Sequence, residues 1–426
     1  MSTPFVLITG TTGFIGAEVL HDALAKGYRV RVTVRKEEQV ALTKARHADA
    51  GDRLEVLVVP DLSKKAALAK ALSGGVDYIV HVASPLAQPG LDLHEGYINP
   101  AVNSTVALLE AATEAQTVKR VIITSSAVAL LPLDWVSRPG YEAKEGVNRS
   151  LQVDVDATYP DDGSAEFTKY QISKILAHRA TLDYVDAAAK KGEKIPEIVT
   201  IHPFFVIGHD RSQLPTDKPH GVNNLYLGAL QSPEPPVPSA LVDVRDVSAT
   251  HVAAISVPSE QLEGKGRYTV TEVVNLGPRV TWEELAAYVK EKYPSFPLKL
   301  TGSGPFSNPS TADTTRATRD FGVKFHDPLD TVAALVEQNL AVRTSVWQHW
   351  NATTAQHRHA NDPEVIIDYR RATIVDHKTI ELLTEMADAA DTTAEVANGK
   401  ATTPAQVTEV NGEISLDGTM PVIYNI

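Results

Sequence analysis

Tyr170 and Lys174, in "YQISK", stand four residues apart and so share one face of a helix. A phenol with a pKa of about 10 is a poor proton donor at neutral pH. A neighbouring ammonium lowers that value by stabilising the phenolate. The spacing alone carries little, because any long helix contains it. It gains weight from "IITSSA" upstream, where Ser126 ends an apolar, β-branched run. A hydroxyl at the carboxyl edge of a parallel sheet can donate to a carbonyl oxygen as negative charge builds on it. These three side chains have the chemistry to polarise a carbonyl and hand it a proton. A second feature is "FVLITGTTGFIGAEVL", with Gly10, Gly13 and Gly16 directly after five apolar or β-branched residues. Glycine is costly within regular structure, so the run is either a flexible loop or a turn where backbone must approach something bulky.

The groups must be positioned by a parallel sheet. "FVLIT" (5–9) is a short apolar run of the kind buried on both faces. "FIGAEVLHDALAKG" (14–27) follows as an amphipathic helix, with Gly27 where a C-cap belongs. Further strands read at 29–34, 54–59, 76–84 and 120–126, with helices between them, such as 100–115 with Pro100 in its first turn. This alternation predicts an α/β fold, a Rossmann-type doubly wound parallel sheet with a smaller C-terminal substrate-binding lobe. Residues 1–200, joined by about 241–275, form the nucleotide domain; 201–240 and 276–345 form the second lobe; 346–426 is an extension. In this setting the three glycines stand between a buried strand and a helix, the context of a dinucleotide fingerprint. They would give the tight turn, the close approach to a pyrophosphate and the helix N-terminus that receives it.

The G-x-x-G-x-x-G spacing, the strand-end serine and the Tyr–Lys pair, in that order, resemble the extended short-chain dehydrogenase/reductase family. The likeness covers about residues 4 to 345 and is greatest to dihydroflavonol reductases and fungal aldehyde and ketone reductases. The resemblance implies a triad of Ser126, rather than Ser125, with Tyr170 and Lys174, the last two also touching the cofactor. It implies that Thr12, Phe14 and Ile15 join the glycines around the phosphates. Asp61 and Leu62 in "PDLSK" look like the adenine contact, and Val82, Ala83 and Ser84 in "HVASP" like the loop under the pyrophosphate. Pro203 and Val206 in "IHPFFVIGH" would approach the nicotinamide, with His202 and His209 replacing the usual Asn and Pro. Asn103, beside a Ser104 that replaces a glycine, is either a proton-relay member or a helix-surface amide. Arg245 and Asp246 in "LVDVRDVSATHVAA" are expected to brace the two lobes. The second strand ends "TVRK", so Arg35 and Lys36 stand where an acid would bind a ribose hydroxyl. Cations there suit a 2′-phosphate, which makes NADP(H) the expected cofactor; the plainer reading is an exposed arginine at a strand end.

Composition bounds the rest. Apolar residues are 43% of 426 and charged residues 22%, ordinary for a chain with a sizeable core. A net charge of −13 argues against nucleic acid as a partner. The absence of cysteine excludes disulfides, thiolate nucleophiles and cysteine-ligated metals. No apolar run approaches the roughly 18 residues of a membrane helix, and no leader pattern precedes the first strand, so a cytoplasmic monomer or homodimer is expected. His349, His357 and His359 lack partners at ligand spacing, and no metal is expected.

After residue 200 the regularity fades. "QSPEPPVPSA" (231–240) is an irregular segment, "TWEELAAYVKEKYP" (281–294) a helix capped by Thr281 with Glu284, and another helix starts near Pro328. From Val346 onward, 5 basic and 12 acidic residues accompany one helix, "HKTIELLTEMADAA". "VIIDY" (365–369) and "MPVIYNI" (420–426) read as strands or pocket cover, and about 389–408 as a mobile stretch. The substrate wall is expected near 84–95, 128–140, 160–168 and 204–240. Leu86, Leu130, Leu131, Trp135, Phe167, Phe204, Phe205, Leu225 and Tyr226 there favour a small hydrophobic carbonyl over a phosphorylated sugar. The resemblance thus implies NADPH-dependent reduction of an aldehyde or ketone. A non-redox, epimerase or dehydratase member and a non-catalytic NADP sensor are the alternatives. Epimerases usually prefer NAD, which Arg35 opposes, and sensors commonly lose the tyrosine.

Overall fold

The structure, a computed structural model, describes residues 3–84, 92–135, 142–160, 165–214, 217–262, 268–306, 310–357, 409–410 and 413–414. Strand β1, Phe5–Thr9, is buried along its whole length. Val6 and Ile8 pack on one side with Val19, Leu20 and Val252, while Phe5 and Leu7 pack on the other with Leu68, Leu108 and Val185. Two-sided cover of this kind is why the run reads as unbroken apolar sequence.

The chain then alternates as expected: α1 Phe14–Ala25, β2 Arg29–Val34, α2 Glu38–Arg46, β3 Leu54–Val58, α3 Lys65–Leu72, β4 Tyr78–His81, α4 Asn99–Ala115 and β5 Arg120–Thr124. A short strand, β6 Glu142–Ala143, precedes the long α5, Glu166–Lys191, and then β7 Glu197–Pro203. Next come β8 Phe205–Ile207, α6 Gly221–Leu230, β9 Leu241–Asp243, α7 Val244–Ser256 and β10 Val270–Asn275. The remainder holds α8 Trp282–Lys292, β11 Thr311–Ala312, α9 Thr315–Arg319, α10 Pro328–His357 and an antiparallel pair, β12 Glu409–Val410 with β13 Glu413–Ile414. Seven strands form one parallel sheet in the order β10-β7-β5-β4-β1-β2-β3. Helix α1 packs against α7, and α4 packs against both α3 and α5. Their apolar residues fall in the two different clusters that flank β1.

Two strands end earlier than the sequence suggests. β4 stops at His81 and β5 at Thr124, so residues 82–84 and 125–126 leave the sheet at its carboxyl edge. Ser126 leaves because it caps a short helical turn, its Oγ accepting from the Val128 N–H at 3.4 Å. Helix α8 carries the expected capping box between Thr281 and Glu284. His349 and His357 fall within α10; His359, Leu86, "VIIDY", "HKTIELLTEMADAA", "MPVIYNI" and 389–408 lie outside the described residues. Among the described residues no helix is long and apolar enough to cross a membrane, and no cluster of His, Asp and Glu could hold a metal ion.

The contacts divide the chain into two units. Among the described residues, one is built from residues up to 213 and 220–338, the other from 214, 217–219, 339–357, 409–410 and 413–414.

Candidate active site

The carboxyl ends of β1, β2, β3, β4, β5 and β7 open into one cavity of about 910 Å³. Of the catalytic and cofactor residues singled out in the sequence, all but Lys36 line it. Lys36 instead lies out on the surface with its ammonium 3.4 Å from Glu38.

At one end the chain turns from β1 into α1. Gly10 has φ +79°, and a Cβ there would fall 2.5 Å from the Ala83 nitrogen. A Cβ on Gly16 would fall 2.1 Å from the Gly10 carbonyl oxygen. Both positions therefore demand glycine. Gly13 is different: a Cβ would meet only the Gly10 oxygen, at 3.6 Å. It is also the N-cap of α1, with no side-chain cap and no acid in the first turn. The first-turn amides thus lack side-chain partners where the cavity begins. Thr9 ties this turn to the neighbouring loop: its Oγ1 accepts from the Ala83 N–H at 3.2 Å and donates to His81 Nδ1 at 2.9 Å. Burial lowers His81 to about 4, so it is neutral and can accept.

At the other end stand Ser126, Tyr170 and Lys174. The segment carrying Ser126 is fastened to α5 by Gln171, whose Nε2 donates to Leu131 O at 2.9 Å, and by Asn148, whose Nδ2 donates to Ala129 O and Ile175 O. From below, His202 Nδ1 lies 3.1 Å from the Ser126 carbonyl. A carbonyl only accepts, so Nδ1 carries the hydrogen and Nε2 accepts from Thr200 at 2.9 Å. Burial, with His178 nearby, lowers His202 to about 3 and keeps it neutral. The histidine that replaces the resemblance's Asn is thus a prop under the serine, outside the cavity wall.

The electrostatics differ from the sequence expectation at one point. Desolvation pushes Tyr170 up to about 12, against a smaller downward pull from its hydrogen bond with Ser126. The net shift is thus upward rather than the expected lowering; the Lys174 ammonium sits 5.5 Å from the Tyr170 ring centroid and donates to Ser84 Oγ at 2.9 Å. Burial lowers Lys174 to about 8.

An aromatic wall adjoins Tyr170. Trp135 meets Phe204 edge-on with centroids 6.4 Å apart, and Phe167 lies 6.5 Å from both Trp135 and Tyr170. Trp135, Phe167, Phe204 and Phe205 line the cavity, but Leu130, Leu131, Leu225 and Tyr226 do not. Leu130 and Leu131 are core residues, and Tyr226 is fully buried with its ring 5.0 Å from Trp282. Glu95 and His220, which fall within the segments expected to form the wall but were not singled out, line the cavity, as does Asn99, which lies outside those segments. Glu95 comes from a single wide helical turn, His94–Ile98, that leads into α4. His220 precedes α6, with Nε2 3.6 Å from the buried carboxylate of Asp210. No sequence motif marks either position. Asn103 lines the cavity, Asp246 accepts from the His326 N–H and ring, and Arg245 pairs with Asp243 at 2.6 Å.

Residues 6–277 match the NAD dependent epimerase/dehydratase family. A ketoreductase, sphI, of Aspergillus fumigatus is 29% identical over 80% of this chain and 98% of its own length. Cinnamoyl-CoA reductase 1 of Arabidopsis thaliana is 30% identical over 78% of this chain and 89% of its own. Among solved structures, yeast methylglyoxal/isovaleraldehyde reductase Gre2 complexed with NADPH superposes with a TM-score of 0.64, at 21% identity, over 79% of this chain and 98% of that one.

Proposed function

The chain belongs to the NAD dependent epimerase/dehydratase family, and on that premise we propose that it is an NADPH-dependent carbonyl reductase, converting an aldehyde or ketone to the alcohol. The observation that carries this reading is that Ser126, Tyr170 and Lys174 meet in the same cavity as the glycine turn and Arg35. The names of the relatives, a ketoreductase and a cinnamoyl-CoA reductase, support the reductive chemistry, and the NADPH in the Gre2 complex supports the cofactor.

The residues fit a dinucleotide. Gly10 and Gly16 close the turn tightly, and the side of Gly13 left open lets a phosphate approach the first-turn amides. Arg35 offers a planar fork to a 2′-phosphate, and no acid stands beside it in the cavity wall after β2. Asp61 accepts from the Ser63 backbone at 2.9 Å, which holds the loop after β3 in shape. When bound, NADPH supplies the hydride.

The protein's own groups do the rest. Ser126 donates to the substrate oxygen and Tyr170 transfers its proton to it. Lys174 keeps positive charge close to the phenolate that this leaves and holds the nicotinamide ribose. Trp135, Phe167 and Phe204 give the substrate an apolar surface, which suits a hydrophobic carbonyl. Purified protein incubated with NADPH and a panel of aromatic and aliphatic aldehydes, ketones and β-keto esters tests this directly. Oxidation of NADPH with at least one carbonyl, faster than of NADH, is expected. No oxidation across the panel, with NADPH bound, would overturn the reading in favour of a sensor.

A further inference from the structure

Helix α5 places a third polar group in line with the proposed catalytic pair. His178 follows Lys174 by four residues, as Lys174 follows Tyr170, so the three lie along one stripe of the helix. Lys174 and His178 also line a second, smaller chamber, of about 30 Å³, with Ser104 and Thr200. That is room for one water molecule.

Two groups at this chamber are short of partners. The Lys174 ammonium has three donors. Ser84 Oγ takes one at 2.9 Å, and no other acceptor bonds it among the described residues. His178 Nε2 lies 2.7 Å from Glu272 Oε1, and a carboxylate only accepts, so Nε2 carries the hydrogen. In the neutral ring the lone pair is then on Nδ1, which is buried and has no partner among the described residues. A buried polar atom left in that condition is costly unless something satisfies it.

We propose that one water in this chamber accepts from the Lys174 ammonium and donates to His178 Nδ1. His178, held by Glu272, is then a positioning residue that steadies the charge on Lys174. Glu272 is itself fixed, on β10, by the Gly146 N–H at 2.5 Å. The consequence for turnover rests on the reductase reading above; the consequence for Lys174 does not. The titratable groups around Lys174 are Tyr170 and His178 on α5, His81 on β4, His202 on β7, Glu272 on β10 and, across the main cavity, Glu95. Burial holds His81 at about 4 and His202 at about 3. Burial would raise Glu272, but hydrogen bonds and the nearby imidazoles outweigh it and bring it to about 2. Those three keep one charge state through the neutral and alkaline range, where Lys174 titrates.

The test follows the Cε resonance of Lys174 by NMR through a pH titration of the cofactor-free full chain, the signal being assigned by its loss in Lys174→Arg. His178→Gln keeps an amide donor near the Nε2 position for Glu272 and removes the Nδ1 acceptor. The Lys174 midpoint should fall by about half a unit or more in that variant, because the charged form loses a hydrogen bond. The alkaline limb of kcat should move the same way, with the KM for NADPH within about twofold. An unmoved midpoint in His178→Gln overturns the proposal, whatever happens to turnover. If that variant does not fold, a high-resolution crystal structure of the unaltered protein decides. A water within hydrogen-bond reach of both Nζ and Nδ1 is expected, and a chamber without one overturns the proposal. Failure of the reductase reading would look different: the unaltered protein would oxidise no NADPH, while the Lys174 titration would still report.

Discussion

Tyr170 is surrounded so that its proton stays on. Desolvation pushes the phenol up to about 12, so it is a filled donor throughout the neutral range and, in the proposed reduction, would give up its proton only as charge builds on the substrate oxygen. Tyr170→Phe should lower kcat by about a hundredfold or more while the Kd for NADPH stays within about threefold. Single-turnover kinetics beside a binding titration would check it, and a variant keeping most of its turnover would remove Tyr170 from the role. Arg35 and Lys36, adjacent in the sequence with Arg35 the expected main contact, part company in space. Arg35 lines the cavity, whereas Lys36 is paired with Glu38 on the surface. Arg35→Asp should raise the KM for NADPH by at least about tenfold, ~1.4 kcal/mol, while Lys36→Ala changes it by about twofold at most. Equal efficiency of the unaltered enzyme with NADH and NADPH would count against the assignment. That Ser126, Tyr170 and Lys174 would meet in one cavity was legible because their spacing is fixed by one helix turn and one strand end, both local. Tyr226 and Leu130 were misplaced because an apolar residue's type does not say whether it faces a ligand or the core; here Trp282 covers Tyr226. Glu95 and His220 carry no local signal, since folding alone brings them to the cavity.

At the scale of elements, the turn between β1 and α1 sorts its glycines by what stands where a side chain would go. A Cβ on Gly16 would run into the Gly10 carbonyl at 2.1 Å, backbone that cannot yield, so Gly16→Ala should cost more than about 2 kcal/mol in a urea titration. Gly13→Ala meets nothing closer than 3.6 Å and should change stability by less than about 1 kcal/mol, yet weaken NADPH binding by occupying the approach to the α1 amides. Similar stability losses in both variants would contradict this division of roles. The contact between β7 and the end of β5 gives a second prediction. His202 is held neutral at about 3, against 6.5 for a free imidazole, chiefly by burial. The unfolded chain therefore binds a proton that the folded one refuses, and stability is lost as pH falls from about 6.5 toward 3. His202→Asn should flatten the dependence of stability on pH between about 6.5 and 5, by up to ~1.4 kcal/mol per unit. Glu272 does not contribute in that window because its own proton uptake lies below the usual carboxylate value of 4.5. An unchanged slope would show that His202 takes up its proton without unfolding. Alternating periodicity made the parallel sheet legible, but not the order β10-β7-β5-β4-β1-β2-β3, since strand neighbours are chosen by crossovers that leave no mark on any one strand.

For the whole molecule, the decisive fact is where the cavity's residues come from. Among the described residues, every one belongs to the unit built from Met1–Gln213 and His220–Gln338, and the last in sequence is Val222. On the proposed function, the described residues that would contact phosphate, adenine and nicotinamide all precede α8. The segment after Thr344 carries 5 basic and 12 acidic residues, so its field should bear on an anionic cofactor. That field opposes binding and is screened within about 10 Å at ordinary salt. A chain ending at Thr344 should accordingly bind NADPH with a Kd within about threefold of the full protein at 0.1 M salt. At low salt its Kd should be equal or lower, never higher. Fluorescence titration at two ionic strengths measures both, with near-ultraviolet circular dichroism to confirm that the shortened chain is folded. A folded, shortened chain that binds NADPH tenfold more weakly at both salt concentrations would mean that residues beyond Thr344 support the cofactor end by contact, and the placement of the whole cofactor site in the first unit would have to be given up.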